Sequence, residues 1–385
     1  MNFELTEIQR MIQETARNFA RNELEPVAAK LDETDDRETF LKNLKKLADL
    51  GLMGINVKAD YGGSEAGVVS FSLAMTEIGR ACASTGVTMS VNNMVAEVIQ
   101  SVGSEEQKQK YCSKICSGEY PAGGFGLTET TAGSDPAGMR TTAILDGDTW
   151  VLNGNKIFIT SAEYAGVFVC WAVSDKTAPK GRGISCFLVE QGDPGFQVGR
   201  AEHKMGQHAS VTNELVFDNC RIPKNRLMSK PNDGFRIALG ELAGGRIGIG
   251  SLGLGIGLAA IEYAVKYAKE RVQFGQPIAN FQAIQWMIAE SFTELEAARL
   301  LLMNAAFKKE NGQPFARAAS MAKYYATEAA ERAGYNAIQI LGGYGYTREF
   351  PVERFYRDVR ITSIYEGTNQ IQRLVVARDI LASLG

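Results

Sequence analysis

Apolar residues recur every three to four positions over the first third of the chain. In "LTEIQRMIQETARNFARNEL" the series Leu5, Ile8, Met11, Ile12, Ala16, Phe19 and Ala20 gives a helix one apolar face. "ETFLKNLKKLADLGL" and "FSLAMTEIGRACAS" repeat that spacing, and the break "KADYGGSEAG" between them suits turns. The pattern changes after "GEYPAGGFGLTETTAGSDPAG", residues 118–138. Short β-like runs come next: "TTAIL", "TWVL", "KIFIT", "VFVCWAVS", "ISCFLVE" and "ELVFDNCRI". "DGD" and "NGN" separate the first three. Asp-Gly and Asn-Gly adopt positive φ at low cost, so both read as hairpin turns. From "GFRIALGELAGGRIGIG" onward helical spacing returns. "GLAAIEYAVKYAKERVQF" carries basic residues toward its end, which favours the helix dipole. "AIQWMIAESFTELEAARLLLMNAAFKK" and "RAASMAKYYATEAAERAGYNAIQIL" complete the series. The order α, β, α predicts an α+β chain in three parts: helical residues 1–121, a middle β domain at 122–230, and helical residues 231–385.

Composition narrows the function. The chain has 385 residues, 45% of them hydrophobic, and a formal net charge of −3. That length supports two or three domains with cores of their own. The near-neutral charge gives no footprint for nucleic acid, and no basic run resembles a membrane-binding patch. No apolar run is read as long enough to span a bilayer. The mixed start, "MNFELTEIQRMIQETARNFA", lacks the continuous apolar centre of a signal peptide, so cytoplasm or an organelle matrix is expected. Six scattered cysteines (Cys82, Cys112, Cys116, Cys170, Cys186 and Cys220) give no disulfide framework and no paired zinc spacing. Two neighbouring histidines, His203 and His208, are too few for a histidine-rich metal centre, so no metal is expected. No serine lies in a nucleophile elbow.

Three stretches carry candidate chemistry. "GIGSLG", Gly248 to Gly253, matches the dinucleotide fingerprint G-x-G-x-x-G, but helical pattern lies on both sides of it where a strand should precede. "GFGLTETTAGSD" stands at the entrance to the β domain. Its small residues let backbone N–H groups approach a ligand, and Thr128, Thr131 and Ser134 add hydroxyls. A plain Gly-rich interdomain loop fits it equally well. In "RITSIYEGTNQIQRLVV" one acid, Glu366, stands between bulky Tyr365 and Gly367. It reads either as an exposed loop acid or as a base that approaches a substrate in a dry site.

Taken together, "GFGLTETTAGSD", "NGNKIFIT", "GRIGIG", "ERVQFGQPIANFQ", "QILGGYGY" and "IYEGTNQIQ" resemble, in order and over essentially the whole chain, the acyl-CoA dehydrogenase family of flavoproteins. "MSVNN" and "GFGLTE" are most similar to short-chain, butyryl-CoA-type members. The resemblance implies a helical N-terminal domain, a β-barrel-like middle domain and a C-terminal four-helix bundle. It implies FAD, an acyl-CoA thioester and oxidation to the trans-2-enoyl-CoA. Phe125, Leu127, Thr128, Gly133 and Ser134, with Phe158, Ile159 and Thr160, are then expected at the flavin. Thr128 and Thr160 would hydrogen-bond its ring, and Phe158 stands where many members carry Trp. Thr368 and Gln370 would hold the same cofactor from the C-terminal domain. Arg271, Phe274, Gln282, Gln339, Gly342 and Gly343 would reach the FAD of a neighbouring subunit in a homotetramer built as a dimer of dimers.

Substrate would meet Ser134, Arg246, Tyr365 and Gly367. Glu366 matches the family's base, with its own N–H and a flavin ribityl hydroxyl on the thioester carbonyl. A second branch of the family places its base at the position of Gly245, which has no side chain. Members often carry Asp at the position of Ala243, where it contacts the CoA chain; here that contact is either lost or made by another group. Glu129 is expected to fix the flavin loop, and "FPVERFYRD", the segment that Glu349 and Asp358 flank, reads as structural ion pairing. Met94, Val95, Val98 and Ile99 are expected to fill the far end of a short acyl pocket, so the expected substrate is a short-chain or small branched acyl-CoA. An electron-transferring flavoprotein is the expected acceptor. An alicyclic acyl-CoA, an acyl-CoA oxidase, an enoyl-CoA reductase and a flavin-containing nucleic-acid-binding relative are the alternatives.

Overall fold

The computed structural model describes residues 4–384. Thr6 caps the first helix, α1 (Glu7–Phe19), in a reciprocal capping box with Gln9. Ile12, Ala16 and Phe19 are its buried stripe, while Ile8 and Met11 face outward. Helices α2 (Arg37–Asp49), α3 (Val68–Ala81) and α4 (Ala83–Val102) come after it, and α3 and α4 are buried along almost their whole length.

An eight-stranded sheet comes next: β1 (Ala122–Gly126), β2 (Thr142–Asp146), β3 (Thr149–Thr160), β4 (Ala165–Val173), β5 (Ile184–Glu190), β6 (Phe196–Ala201), β7 (Thr212–Pro223) and β8 (Leu227–Met228). The strand order is β6-β7-β3-β2-β4-β5-β8, with β1 parallel on β4. Two sequence expectations change here. The first residues of "GFGLTETTAGSD" belong to a strand, β1, and the loop begins only after Gly126. "NGN" is no hairpin turn, because β3 runs through it unbroken. Gly154 (φ +139°) marks a register shift against β7, and a side chain there would stand 2.7 Å from the Thr141 Cα. A bulge thus uses the freedom that was read as a turn.

The C-terminal part is a bundle of α5 (Gly234–Glu270), α6 (Gln282–Glu310), α7 (Ala316–Leu341) and α9 (Asn369–Ser383), with the short α8 (Val352–Arg360) packed against α5 and α7. The periodic run "GLAAIEYAVKYAKERVQF" therefore stops at Glu270, and Val272–Gln273 turns back on Gln276–Pro277 in a two-residue ladder. "GIGSLG" lies inside α5, all six residues buried. Glycines along this helix serve packing: a Cβ on Gly255 would stand 2.2 Å from the Thr76 carbonyl oxygen, and one on Gly257 2.8 Å from the Ala330 Cα. By length and composition α5 is also apolar enough to cross a membrane, contrary to the expectation from the sequence. However, 78% of its most apolar window is buried against the rest of the chain. The surrounding helices take up the apolar surface that a bilayer would otherwise cover.

Candidate active site

Glu366 and Gly367 both sit in the left-handed region, at φ +55° and +83°. They form the sharp link between the turn Ile361–Ser363 and α9, whose N-cap is Thr368 accepting from the Ile371 N–H. A non-glycine residue at positive φ is strained and must be held by its surroundings. Gln372 holds the link from one side: its Nε2 donates to the Glu366 carbonyl at 3.1 Å and to the Gly367 carbonyl at 2.7 Å. Lys323, from α7, holds it from another, with Nζ 3.0 Å from the Gly367 carbonyl and 3.0 Å from Asn369 Oδ1.

The Glu366 side chain reaches the α4–α5 contact. A Cβ on Gly245 would stand 2.8 Å from Glu366 Oε2 and 3.0 Å from Met94 Sδ, so glycine at this point of α5 makes the room for the carboxylate. Oε2 is buried and has no hydrogen-bond partner among the described residues, although the residue as a whole keeps some exposure. Burial pushes the carboxyl up to about 7, against the opposing pull of Arg246 and Lys323. Arg246 is itself buried. Its Nη1 donates to Ser320 Oγ at 3.1 Å, and its Nε is unpartnered among the described residues. Burial pushes the Tyr365 phenol well above its ordinary range, and its oxygen accepts from Gln207 Nε2 at 3.3 Å. An ionisable acid with a buried, unpartnered oxygen facing the space beside Gly245 can take a proton from a weakly acidic carbon.

The expected flavin residues gather at the ends of β1 and β3. The Ile157 N–H donates to the Thr128 carbonyl at 2.9 Å and so places Thr128 beside Phe158. Phe158 has φ +59° and is 60% exposed between a buried Lys156 and a buried Ile159. Phe125 packs on Trp171 with ring centroids 4.5 Å apart. Leu127 and Ile159 are buried in the core, Thr160 is half-buried, and Gly133 and Ser134 are exposed. The loop rests on Glu129, as expected. Its carboxylate accepts from the N–H groups of Arg140 (2.6 Å) and Thr141 (3.0 Å) and from Lys156 Nζ (2.8 Å). Burial alone would raise this acid, but Lys156 and the two N–H donors outweigh it and hold Glu129 below its ordinary range. An exposed aromatic face beside open backbone and free hydroxyls fits a flavin ring and its phosphates.

A third group lies elsewhere. Arg271, Phe274, Gly342 and Gly343 line one open cleft of about 620 Å³ with Tyr344, whose ring lies 5.8 Å from the Arg271 guanidinium carbon. Gln282 and Gln339 are exposed at the near ends of α6 and α7. Phe274 is 94% exposed. Gly245, beside Glu366, and Glu270, next to Arg271, are 25 positions apart on α5, or about 38 Å along its axis. One chain therefore does not bring this cleft to its own Glu366.

Some expectations need correction. Of the four pocket residues only Met94 lies, like Glu366, against Gly245. Val95 packs on Gly123, and Val98 and Ile99 join the core with Tyr61 and Tyr111. Glu349 is exposed, and Asp358 accepts from the Gln207 N–H at 2.5 Å instead of pairing with a cation. Burial pushes Asp358 up to about 6. The segment "FPVERFYRD" does form ion pairs, through Arg357, which holds Glu353 and Asp32. Among the described residues no cluster of metal-ligating side chains occurs. Sequence reasoning missed Lys323, Gln372 and Gln207. Lys323 had a signal: it stands on the same helical spacing as buried Ala319, Ala326 and Ala330, where a lysine is out of place.

Three family models match the chain: the N-terminal domain of acyl-CoA dehydrogenase over residues 6–119, its middle domain over 124–220 and its C-terminal domain over 232–381. The chain is 44% identical to an acryloyl-CoA reductase (NADH) of Anaerotignum propionicum over 385 residues, covering 99% of this chain and 96% of that one. It is 43% identical to a short-chain-specific acyl-CoA dehydrogenase of Clostridium acetobutylicum over 383 residues, covering 99% and 100%. The solved butyryl-CoA dehydrogenase of Megasphaera elsdenii superposes with a TM-score of 0.95 at 40% identity, covering 99% of this chain and 100% of that one.

Proposed function

The chain belongs to the acyl-CoA dehydrogenase family of FAD-dependent oxidoreductases, and from that premise we propose that it removes two hydrogens from a short-chain acyl-CoA with Glu366 as the base. The observation that carries this reading is the unpartnered, buried Glu366 Oε2 facing the space left by Gly245.

The substrate's α-proton is weakly acidic, so its removal needs a carboxylate free of competing hydrogen bonds and shielded from water. Glu366 offers both, and its raised pKa makes it a stronger base. The Glu366 N–H, on a residue held at positive φ, is the donor proposed for the thioester oxygen. Arg246 and Lys323 keep positive charge near the carboxylate and favour its ionised state. Tyr365 and Met94 wall the acyl group. FAD, when bound, supplies the acceptor for the β-hydride, and Phe125–Ser134 with Phe158–Thr160 are the residues proposed to hold it. Thr368 and Gln370 reach the same cofactor from the other domain in this reading. Ser134 and Gly367 would contact the CoA thioester.

Met94 beside Glu366 supports a short acyl group of about four to six carbons, because overfilling a packed site costs about 1–3 kcal/mol. An electron-transferring flavoprotein is the proposed acceptor, in a bacterial cytoplasm or an organelle matrix. Similarity to an acryloyl-CoA reductase favours one second reading, the same chemistry run toward the saturated thioester. Glu366→Gln tests the base. The purified variant is expected to keep FAD and to lose anaerobic bleaching of the flavin by butyryl-CoA, with kcat down by at least about a thousandfold. Bleaching at the wild-type rate would place the base elsewhere.

A further inference from the structure

A lysine with no exposed side-chain surface sits behind the proposed base. Lys323 comes from the middle of α7, among Ala319, Ala322 and Ala326. Burying a lysine is costly unless its charge has a use or a partner. Among the described residues it makes no ion pair within 4 Å, and its two acceptors are neutral: the Gly367 carbonyl and Asn369 Oδ1, each at 3.0 Å. Asn369 is in turn held by Thr327 and Glu328. The charged groups around Lys323 are Glu366 on the link, Arg246 on α5 and Glu328 on its own helix, and Glu328 is engaged by Arg373 of α9.

We propose that Lys323 is a positioning residue for Glu366: with Gln372 it fixes the Gly367 peptide next to the strained Glu366, and it supplies positive charge that favours the ionised carboxylate. This inference rests on the reading of Glu366 as the base. The link needs such a clamp because Glu366, a non-glycine residue, sits at positive φ, and Lys323 and Gln372 both hold the Gly367 carbonyl. The charge is needed because Glu366 Oε2 has no hydrogen bond to stabilise its ionised form. Burial lowers Lys323 to about 7, with Arg246 adding to this and Glu366 opposing it, so the cation weakens as pH rises through neutrality. Its influence on Glu366 is therefore largest on the acid side of the profile.

Lys323→Gln keeps a donor for the Gly367 carbonyl and removes the charge; Lys323→Met removes both. In the FAD-loaded enzyme both variants are expected to move the acid limb of kcat/KM for butyryl-CoA to higher pH by about one unit, a tenfold loss on that limb. Lys323→Met is further expected to lower the high-pH plateau about tenfold, and Lys323→Gln to leave it near wild type. Infrared titration of the protonated carboxyl band that Glu366→Gln abolishes gives an activity-independent readout, and it should shift by the same amount in Lys323→Gln. A folded, FAD-loaded Lys323→Gln with an unmoved acid limb and an unmoved carboxyl band would overturn the proposal, whether or not the Met variant folds. If Glu366→Gln stays active, the base reading fails separately, and the infrared shift still reports whether Lys323 acts on Glu366.

Discussion

A single carboxyl group brings together opposing demands. As the proposed base Glu366 must be ionised to act, yet its burial favours the neutral acid and pushes it up to about 7. The raised value fixes the sign of the pH dependence. The base is protonated and idle below about 7, so kcat/KM is expected to rise with pH through neutrality, and a pH profile with butyryl-CoA checks it. Stability runs the other way. A carboxyl raised above its unfolded value contributes stability at low pH that is lost as pH rises through the folded pKa. Glu366→Gln should therefore be at least as heat-stable as wild type above neutrality while losing activity. Gly245 is the complementary residue. Gly245→Ala gains up to about 1 kcal/mol of helix propensity, but the new methyl would stand 2.8 Å from Oε2. Its kcat should fall at least about tenfold with FAD retained and thermal stability unchanged or higher. Wild-type turnover would show that the carboxylate works from another position.

Among the elements, the α4–α5 contact is where the proposed acyl group would be selected. Met94 of α4 and Gly245 of α5 meet where Glu366 enters, while Val95, Val98 and Ile99 turn toward β1 and the N-terminal core. In the proposed reading, chain-length selectivity would fall mainly on Met94. Met94→Ala should move the optimum from butyryl- toward hexanoyl- and octanoyl-CoA. Each methylene newly accommodated is worth about 0.8 kcal/mol, or roughly fourfold in kcat/KM. An unchanged ranking over a substrate panel would remove Met94 from the acyl site. The sheet has a comparable device in the Lys156–Glu129 pair, which anchors the loop after β1 to β3. Loop and strand must stay in register if Thr128 and Phe158 are to serve one ring.

At the scale of the molecule, the length of α5 separates two ligand-like surfaces. About 38 Å of helix lies between the Glu366 cleft and the surface of Arg271, Phe274, Gly342 and Gly343. That is farther than one extended dinucleotide reaches. The second surface is consistent with completing a neighbour's site in a tetramer, and exposed Phe274, Trp286 and Phe307 supply apolar area for such contacts. Arg271→Ala is expected to weaken FAD retention and assembly together, read by the flavin-to-protein ratio and by sedimentation. A stable monomer with full FAD would contradict the shared site.

The sequence by itself determined the α-β-α order, because each period of apolar residues allows one kind of element to bury them. It also determined the dismissal of "GIGSLG", since no strand pattern precedes it, and the family's motifs named Glu366. It did not determine which way a side chain points once helices pack. Val95, Val98 and Ile99 read like Met94 in the one-dimensional pattern, and only the crossing of α4 with α5 and β1 separates them. "NGN" carried a turn signal, yet the pairing of β3 with β7 on both sides of Gly154 made it a bulge. Lys323 lies 43 positions before Glu366, and no local pattern joins the two. Their meeting results from α7 packing beneath the link to α9, so the tertiary structure alone places a buried cation beside the acid. The environment that sets the charge of a buried acid is assembled from distant segments, and so it is decided by the packed fold and not by the residues next to that acid in sequence.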